Sequence, residues 1–192
     1  MIPKKVLQSL TLASVVFVVS GCSQLEVKTP SGVDLASITP LYTLSNLHPD
    51  PKRHKLSAVN HQLAGLIPLC TEVDVVSIKN KAMKFLVKDT GQQYVFVNHR
   101  AIVGGLAENL PSYFGSQCNK SVVNGLGKID KKGIRLGVPL VGMSKKGVEL
   151  AMGMPPKHRT RSLELNTWIY WRNNWGTMAV NFDEAGKVSS IK

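Results

Sequence analysis

Residues 138–192 hold three short runs of alternating apolar and polar side chains, each closed by turn residues. This spacing narrows the available folds more than any other feature of the chain. Residues 167–172 read TWIYWR, and Asn173, Asn174 and Gly176 then turn the chain. Residues 177–182 read TMAVNF, which puts Met178, Val180 and Phe182 on one face. Asp183, Glu184, Ala185 and Gly186 make a second turn, and 187–191 close the set. A period of two with such short connections predicts an antiparallel three-stranded meander. Just upstream, Ser144 is placed to cap a helix and Gly153 to stop it, with Pro155 and Pro156 barring continuation. Val148, Ala151 and Met152 share one face of that helix. Gly147 costs it up to about 1 kcal/mol, so it must depend on packing. A helix that covers one face of a small sheet is an α+β unit.

The earlier part is β-rich. Val73 and Val75 alternate with Glu72 and Asp74, and Met83, Phe85 and Val87 with Lys84, Leu86 and Lys88. After a turn at Asp89-Thr90-Gly91, Tyr94, Phe96 and Asn98 alternate with Val95 and Val97. At least three antiparallel strands are expected, with Met83, Phe85 and Val87 packed against Tyr94 and Phe96. Residues 66–71, LIPLCT, resemble the first strand of a small SH3-like barrel. Leu106 starts a short helix interrupted by Pro111, and glycines break up 115–137. Gly125-Leu126-Gly127 lacks the third glycine of a dinucleotide loop. The expected division is a β-rich small domain over 61–120 and an α+β domain over 121–192.

The first residues address the compartment. Lys4 and Lys5 precede the apolar run LTLASVVFVV at 10–19, which is too short for a bilayer span of roughly 20 residues. Val19-Ser20-Gly21-Cys22 resembles a lipobox, the cleavage site of bacterial prolipoproteins. That likeness implies a signal peptide over 1–21 and acylation, palmitate included, of Cys22. Residues 22–60, with Pro30, Gly32 and Pro40, read as the lipidated cysteine and a loosely ordered polar tether. By resemblance to lipoproteins of bacteria with two membranes, Ser23 after the cysteine is compatible with transfer to the outer membrane, the expected location, with the body facing the periplasm. Cys70 and Cys118 then lie in an oxidising space, as one disulfide or as two buried thiols.

Net charge is +12 over 192 residues, and +10 once Lys4 and Lys5 are removed from the 24 Lys and Arg set against 12 acids. Export argues against nucleic acid as partner. Anionic lipid, cell wall or an acidic protein face remain, as does dispersed charge that serves solubility. His48, His54 and His61 fit no standard metal spacing on their proline-broken loop, and no metal or cofactor is expected.

GMSKKGVELAMGMPP, TWIYWRNNW and VNFDEAGKV together resemble the SmpA/OmlA family, that of the BamE subunit of the outer-membrane β-barrel assembly machine. The likeness rests on Gly142-Met143-Ser144, Gly153 with Pro155, Trp168 with Tyr170, and Phe182-Asp183 with Gly186 and Val188. It implies a BamE-like helix and meander, similar also to β-lactamase-inhibitor-protein repeats. BamE itself is smaller and lacks the 66–103 strands.

Met143 and Tyr170 read as core. Trp168 and Trp171 fall on opposite strand faces, so one packs with the helix. The other, with Trp175 and Arg172, is either an exposed anchor or buried beneath the N-terminal part. His158, Arg159 and Arg161 form a basic loop beside them. No triad, nucleophile elbow or acid–base pair stands out, and Ser144 sits where a cap belongs. The expectation is a non-enzymatic outer-membrane lipoprotein that binds or scaffolds a protein or envelope component, through Trp171, Arg172, Trp175, His158, Arg159 and Arg161. An inhibitor or sensor of a periplasmic enzyme, or a cell-wall binder, are the alternatives.

Overall fold

A computed structural model describes residues 25–192 apart from 100, 101, 103 and 119. The leader and Cys22 lie outside the described residues.

Period-two alternation builds the first sheet. Its strands are β1 (Leu41–Thr43), β2 (Lys55–Ser57), β3 (Glu72–Lys79), β4 (Ala82–Val87), β5 (Gln93–Val97) and β6 (Phe114–Gly115), in the order β2-β5-β4-β3-β1-β6. The sheet is mixed, because β2 runs parallel to β5 while the other pairs are antiparallel. In the β4–β5 hairpin Phe85 stands opposite Tyr94 and Met83 opposite Phe96, as the alternation predicts. Phe85 and Tyr94 stack with centroids 5.7 Å apart, and Phe114 meets Phe85 edge-on at 5.2 Å. These rings form one hydrophobic cluster with Val27, Leu35, Leu41 and Ile78.

Two expectations fail here. Residues 66–71 are not a strand. Pro68 has no N–H to give a ladder, Cys70 turns at φ 65°, and regular pairing starts at Glu72. Nor is 25–60 a loose tether, for Val27, Leu35, Leu41, Leu47 and Leu56 are all buried. The polar residues of this segment satisfy its own turns. The Asp34 carboxylate accepts from the backbone of Val27 and Ala36, and Thr29 from Val33. That local bonding lets the interspersed apolar side chains enter the core.

Next come α1 (Leu106–Asn109), a 3-10 turn at Leu110–Ser112 carrying Pro111, and α2 (Lys120–Gly125). α3 (Lys128–Leu136) and α4 (Lys145–Met152) follow, then β7 (Thr167–Trp171), β8 (Thr177–Phe182) and β9 (Val188–Ile191) as an antiparallel meander. A Cys70–Cys118 disulfide ties the loop before β3 to the segment before α2. α4 covers the meander. Val148, Leu150, Ala151 and Met152 pack with Trp168, Tyr170, Val180 and Phe182 in a second cluster. The molecule is therefore α+β, and its apolar cluster changes identity between Phe114 and Ile134, with the first cluster reaching back to Val27.

Of the glycines that seem to break up 115–137, Gly133 serves close packing. A Cβ on Gly133 would collide with the Met143 sulfur, so α3 can lie tight against the entry to α4. Gly147 does the same from the other side. The buried Asp130 of α3 accepts from the Ser144 N–H at 2.7 Å and from its hydroxyl at 3.1 Å. Ser144 in turn accepts from the Gly147 N–H at 3.0 Å. A Cβ on Gly147 would strike the Asp130 carboxylate.

The other end of α4 is satisfied from the first sheet's side. Asn46 donates to the carbonyls of Ile134 and Ala151, and its own N–H donates to Leu150. Asn60 donates to Met152 and Met154, and Gln62 also reaches Met152. His48 bonds through Nε2 to the Ala151 carbonyl at 3.1 Å. Burial holds His48 below the ordinary histidine pKa, against its backbone bonds to Ala151 and Leu63.

Gly147→Ala is expected to lower stability by about 1–3 kcal/mol in urea unfolding, although alanine is the better helix former, because overpacking against Asp130 outweighs propensity. His48 carries a second expectation. With its folded pKa depressed, the unfolded chain binds more protons once pH falls below about 6.5. Stability should therefore decline as pH drops through 6.5 toward the folded value, and His48→Gln should flatten that decline in urea titrations at pH 5 and 7.5.

Candidate functional site

The chemistry-bearing side chains gather where β7 meets the first sheet. β7 alternates, so Trp168 and Tyr170 turn inward and Trp171 outward. Trp168 donates to the Leu163 carbonyl and Tyr170 to the Gly153 carbonyl, which satisfies both polar tips in the core. Met143 is fully buried as well.

The outer edge of β7 is occupied. His61 pairs with Trp171 in a parallel bridge, and the Gln62 N–H donates to the Trp171 carbonyl at 2.8 Å. Farther along, the buried Thr160 accepts from the Ile169 N–H at 2.9 Å. Thr160 thereby fixes the basic loop beside Trp171. The His158 ring stacks on the indole with centroids 6.2 Å apart, and Trp171 Nε1 donates to His158 Nε2 at 3.2 Å. The Arg159 guanidinium lies 4.5 Å from the indole centroid, a cation–π contact. His61 meets the indole edge-on at 6.4 Å, and His99 meets His61 at the same distance.

Burial, helped by neighbouring charge, favours neutral imidazoles at His61 and His158. Burial, then the neighbouring His99, lowers the His61 pKa. Burial, then Arg159 and His99, lowers that of His158. A neutral His158 with its proton on Nδ1 is the form that can accept from Trp171.

The loop residues named from sequence thus divide. Trp171, His158 and Arg159 come together. Arg161 instead lines a cleft of about 300 Å³ with Lys157, Tyr113 and Leu163, which His158 also borders. Arg172 and Trp175 sit on the β7–β8 turn, and Trp175 is 92% exposed. Asn173 Oδ1 accepts from the N–H groups of Trp175 and Gly176, both at 2.8 Å, which sets the turn. Sequence reasoning missed His61 and His99. Both sit far from residue 171 along the chain, and no local pattern links them to it.

A second cleft, of about 260 Å³, opens between the first sheet and the β7–β8 turn, lined by Arg53, Lys55, His61, His99, Asn173 and Asn174 among others. Among the described residues no group of three His, Cys, Asp or Glu side chains could hold a metal ion. Nor is any described helix long and apolar enough to cross a membrane.

No family model, curated protein or solved structure matches this chain.

Trp175→Ala is expected to change stability by less than about 0.5 kcal/mol, since the ring packs on nothing that the substitution would uncover. Trp171→Ala should cost about 1–2 kcal/mol through the lost stacking, cation–π and hydrogen-bond contacts. Thermal unfolding of the two variants side by side checks the contrast.

Proposed function

We propose that this chain is a non-enzymatic lipoprotein of the outer membrane, anchored through an acylated Cys22, whose body faces the periplasm and binds a protein or envelope component. The observation that carries the reading is Trp175, 92% exposed at the tip of the β7–β8 turn beside the exposed Arg172. Tryptophan and arginine dominate the energetics of interfaces, and a free indole in water is hydrophobic area awaiting cover. The Asn173 side chain holds the turn, so the indole is presented with little conformational entropy left to lose. The stack of Trp171, His158 and Arg159 supplies a stiff basic shoulder.

Other features support the same reading. A Cys70–Cys118 disulfide suits an oxidising compartment. A helix over a three-stranded meander is the layout expected of a BamE-like module, which favours a scaffolding role linked to outer-membrane protein assembly. Two side chains that could serve catalysis have other roles here. His158 has its Nε2 engaged by an indole and Ser144 has its hydroxyl engaged in a cap.

Crosslinking of the full chain in cells, with mass spectrometry of what is captured, tests this. Capture of β-barrel assembly subunits is expected, reduced at least severalfold by Trp175→Ala or Arg172→Ala. Capture of a single periplasmic enzyme or of cell-wall fragments in their place would overturn the assembly link and favour an inhibitor, a sensor or a wall binder.

A further inference from the structure

The cleft between β2, the end of β5 and the β7–β8 turn is lined by both apolar and basic side chains. The apolar ones are the buried Leu56 and the half-buried Leu63 and Val97. The exposed cations are Arg53 and Lys55, with the half-buried His61 and His99 beside them. The only carboxylate among the described lining residues is Asp50, one negative charge against the two positive charges of Arg53 and Lys55. Asp50 Oδ1 accepts from the N–H groups of Lys52 and Arg53, at 2.9 and 3.0 Å. That turn is what brings Arg53 to the cleft, while Lys55 opens β2 directly after it. The far wall is Asn173 and Asn174, next in the chain to the exposed Trp175.

A volume of about 260 Å³ holds one side chain and its immediate backbone. Two exposed cations beside low-dielectric apolar side chains attract an anion. A hydrated inorganic anion gains nothing from Leu56, Leu63 and Val97. A side-chain carboxylate brings methylenes for those side chains, and the residue beside it can cover Trp175.

We infer that this cleft is a binding site for an acidic peptide segment, whose carboxylate is held by Arg53 and Lys55 with His61 and His99 beside them, and whose neighbouring apolar residue packs on Trp175. This rests on the reading that the chain binds a partner, and it names the chemistry of that partner. Arginine is suited to the carboxylate because its planar fork can bind both oxygens at once.

The test uses the full chain in a non-ionic detergent and two blocked probes, acetyl-Leu-Glu-Leu-amide and its Gln counterpart, followed by amide NMR shifts. The Glu probe should shift signals of residues 53–57, 97–99 and 173–175, and the Gln probe should bind at least tenfold more weakly. R53A with K55A should weaken the Glu probe at least tenfold while signals elsewhere stay in place. Trp175→Ala, which uncovers no core, should weaken it at least threefold. Equal binding of the two probes, or shifts confined to other surfaces, would overturn the site. Inorganic phosphate binding as tightly as the Glu probe would overturn the peptide assignment. The two readings fail separately. Peptide binding with no partner captured in cells removes the envelope-partner reading and leaves the cleft. Capture that depends on Trp175 with no peptide binding removes the cleft.

Discussion

The structure turns on the carbonyls at the end of α4. A helix leaves its last four C=O groups without partners inside the helix. Here those of Leu150, Ala151 and Met152 point at the first sheet's side of the molecule, and Asn46, His48, Asn60 and Gln62 meet them there. Three of these side chains, Asn46, His48 and Asn60, are buried. Pulling the two parts asunder would strand buried acceptors on one side and buried amides on the other, each costing about 1–3 kcal/mol until water reached it. Two apolar clusters are thus joined by a polar seam whose geometry is fixed atom by atom, and Asn46 also ties in the Leu69 N–H at 2.8 Å.

The front end of α4 depends on the same kind of outside help. Asp130, Ser144 and Gly147 form a relay in which a carboxylate from one helix steadies the cap of the next. Both ends of α4 therefore also draw on residues outside the helix, Asp130 at the front and Asn46, His48, Asn60 and Gln62 at the back. The face of α4 toward the meander is left to do the apolar packing, and β7 is placed so that Trp171 emerges beside the seam. The cluster of Trp171, His61, His158 and Arg159 is a consequence of that placement.

Much of the second module was legible because its signals are local. Ser144 and Gly153 bracket α4, and Met178, Val180 and Phe182 mark a sheet face within six residues. The β4–β5 hairpin was legible for the same reason. What stayed hidden depends on contacts across long stretches of chain. The buried roles of Val27, Leu35 and Leu47 are invisible in a segment rich in Pro, Ser and Thr, because short polar turns satisfy themselves and leave no periodic trace. α3 was obscured by Gly133, whose reason for being there is Met143. Trp171, Trp175 and the basic loop could be singled out by residue type alone. Their companions His61 and His99, and the cleft that Arg53 and Lys55 rim, arise only when β2 lies parallel to β5.

The bond at Leu25 and the burial of Val27 change how a lipid anchor would act. Leu25 already donates its N–H to Ile78 at 2.9 Å, beside the β3–β4 hairpin tip with Lys79 and Lys81, and Val27 is fully buried. Only Ser23 and Gln24 lie between Leu25 and Cys22, so at most about 11 Å of chain would separate an acylated Cys22 from the folded body. A protein moored so closely has little room to swing. It would ride with the hairpin tip toward the headgroups and hold its exposed tryptophan at a set height above the bilayer. Reach would then fall to the partner, and whatever occupied that face would itself have to come down to the membrane.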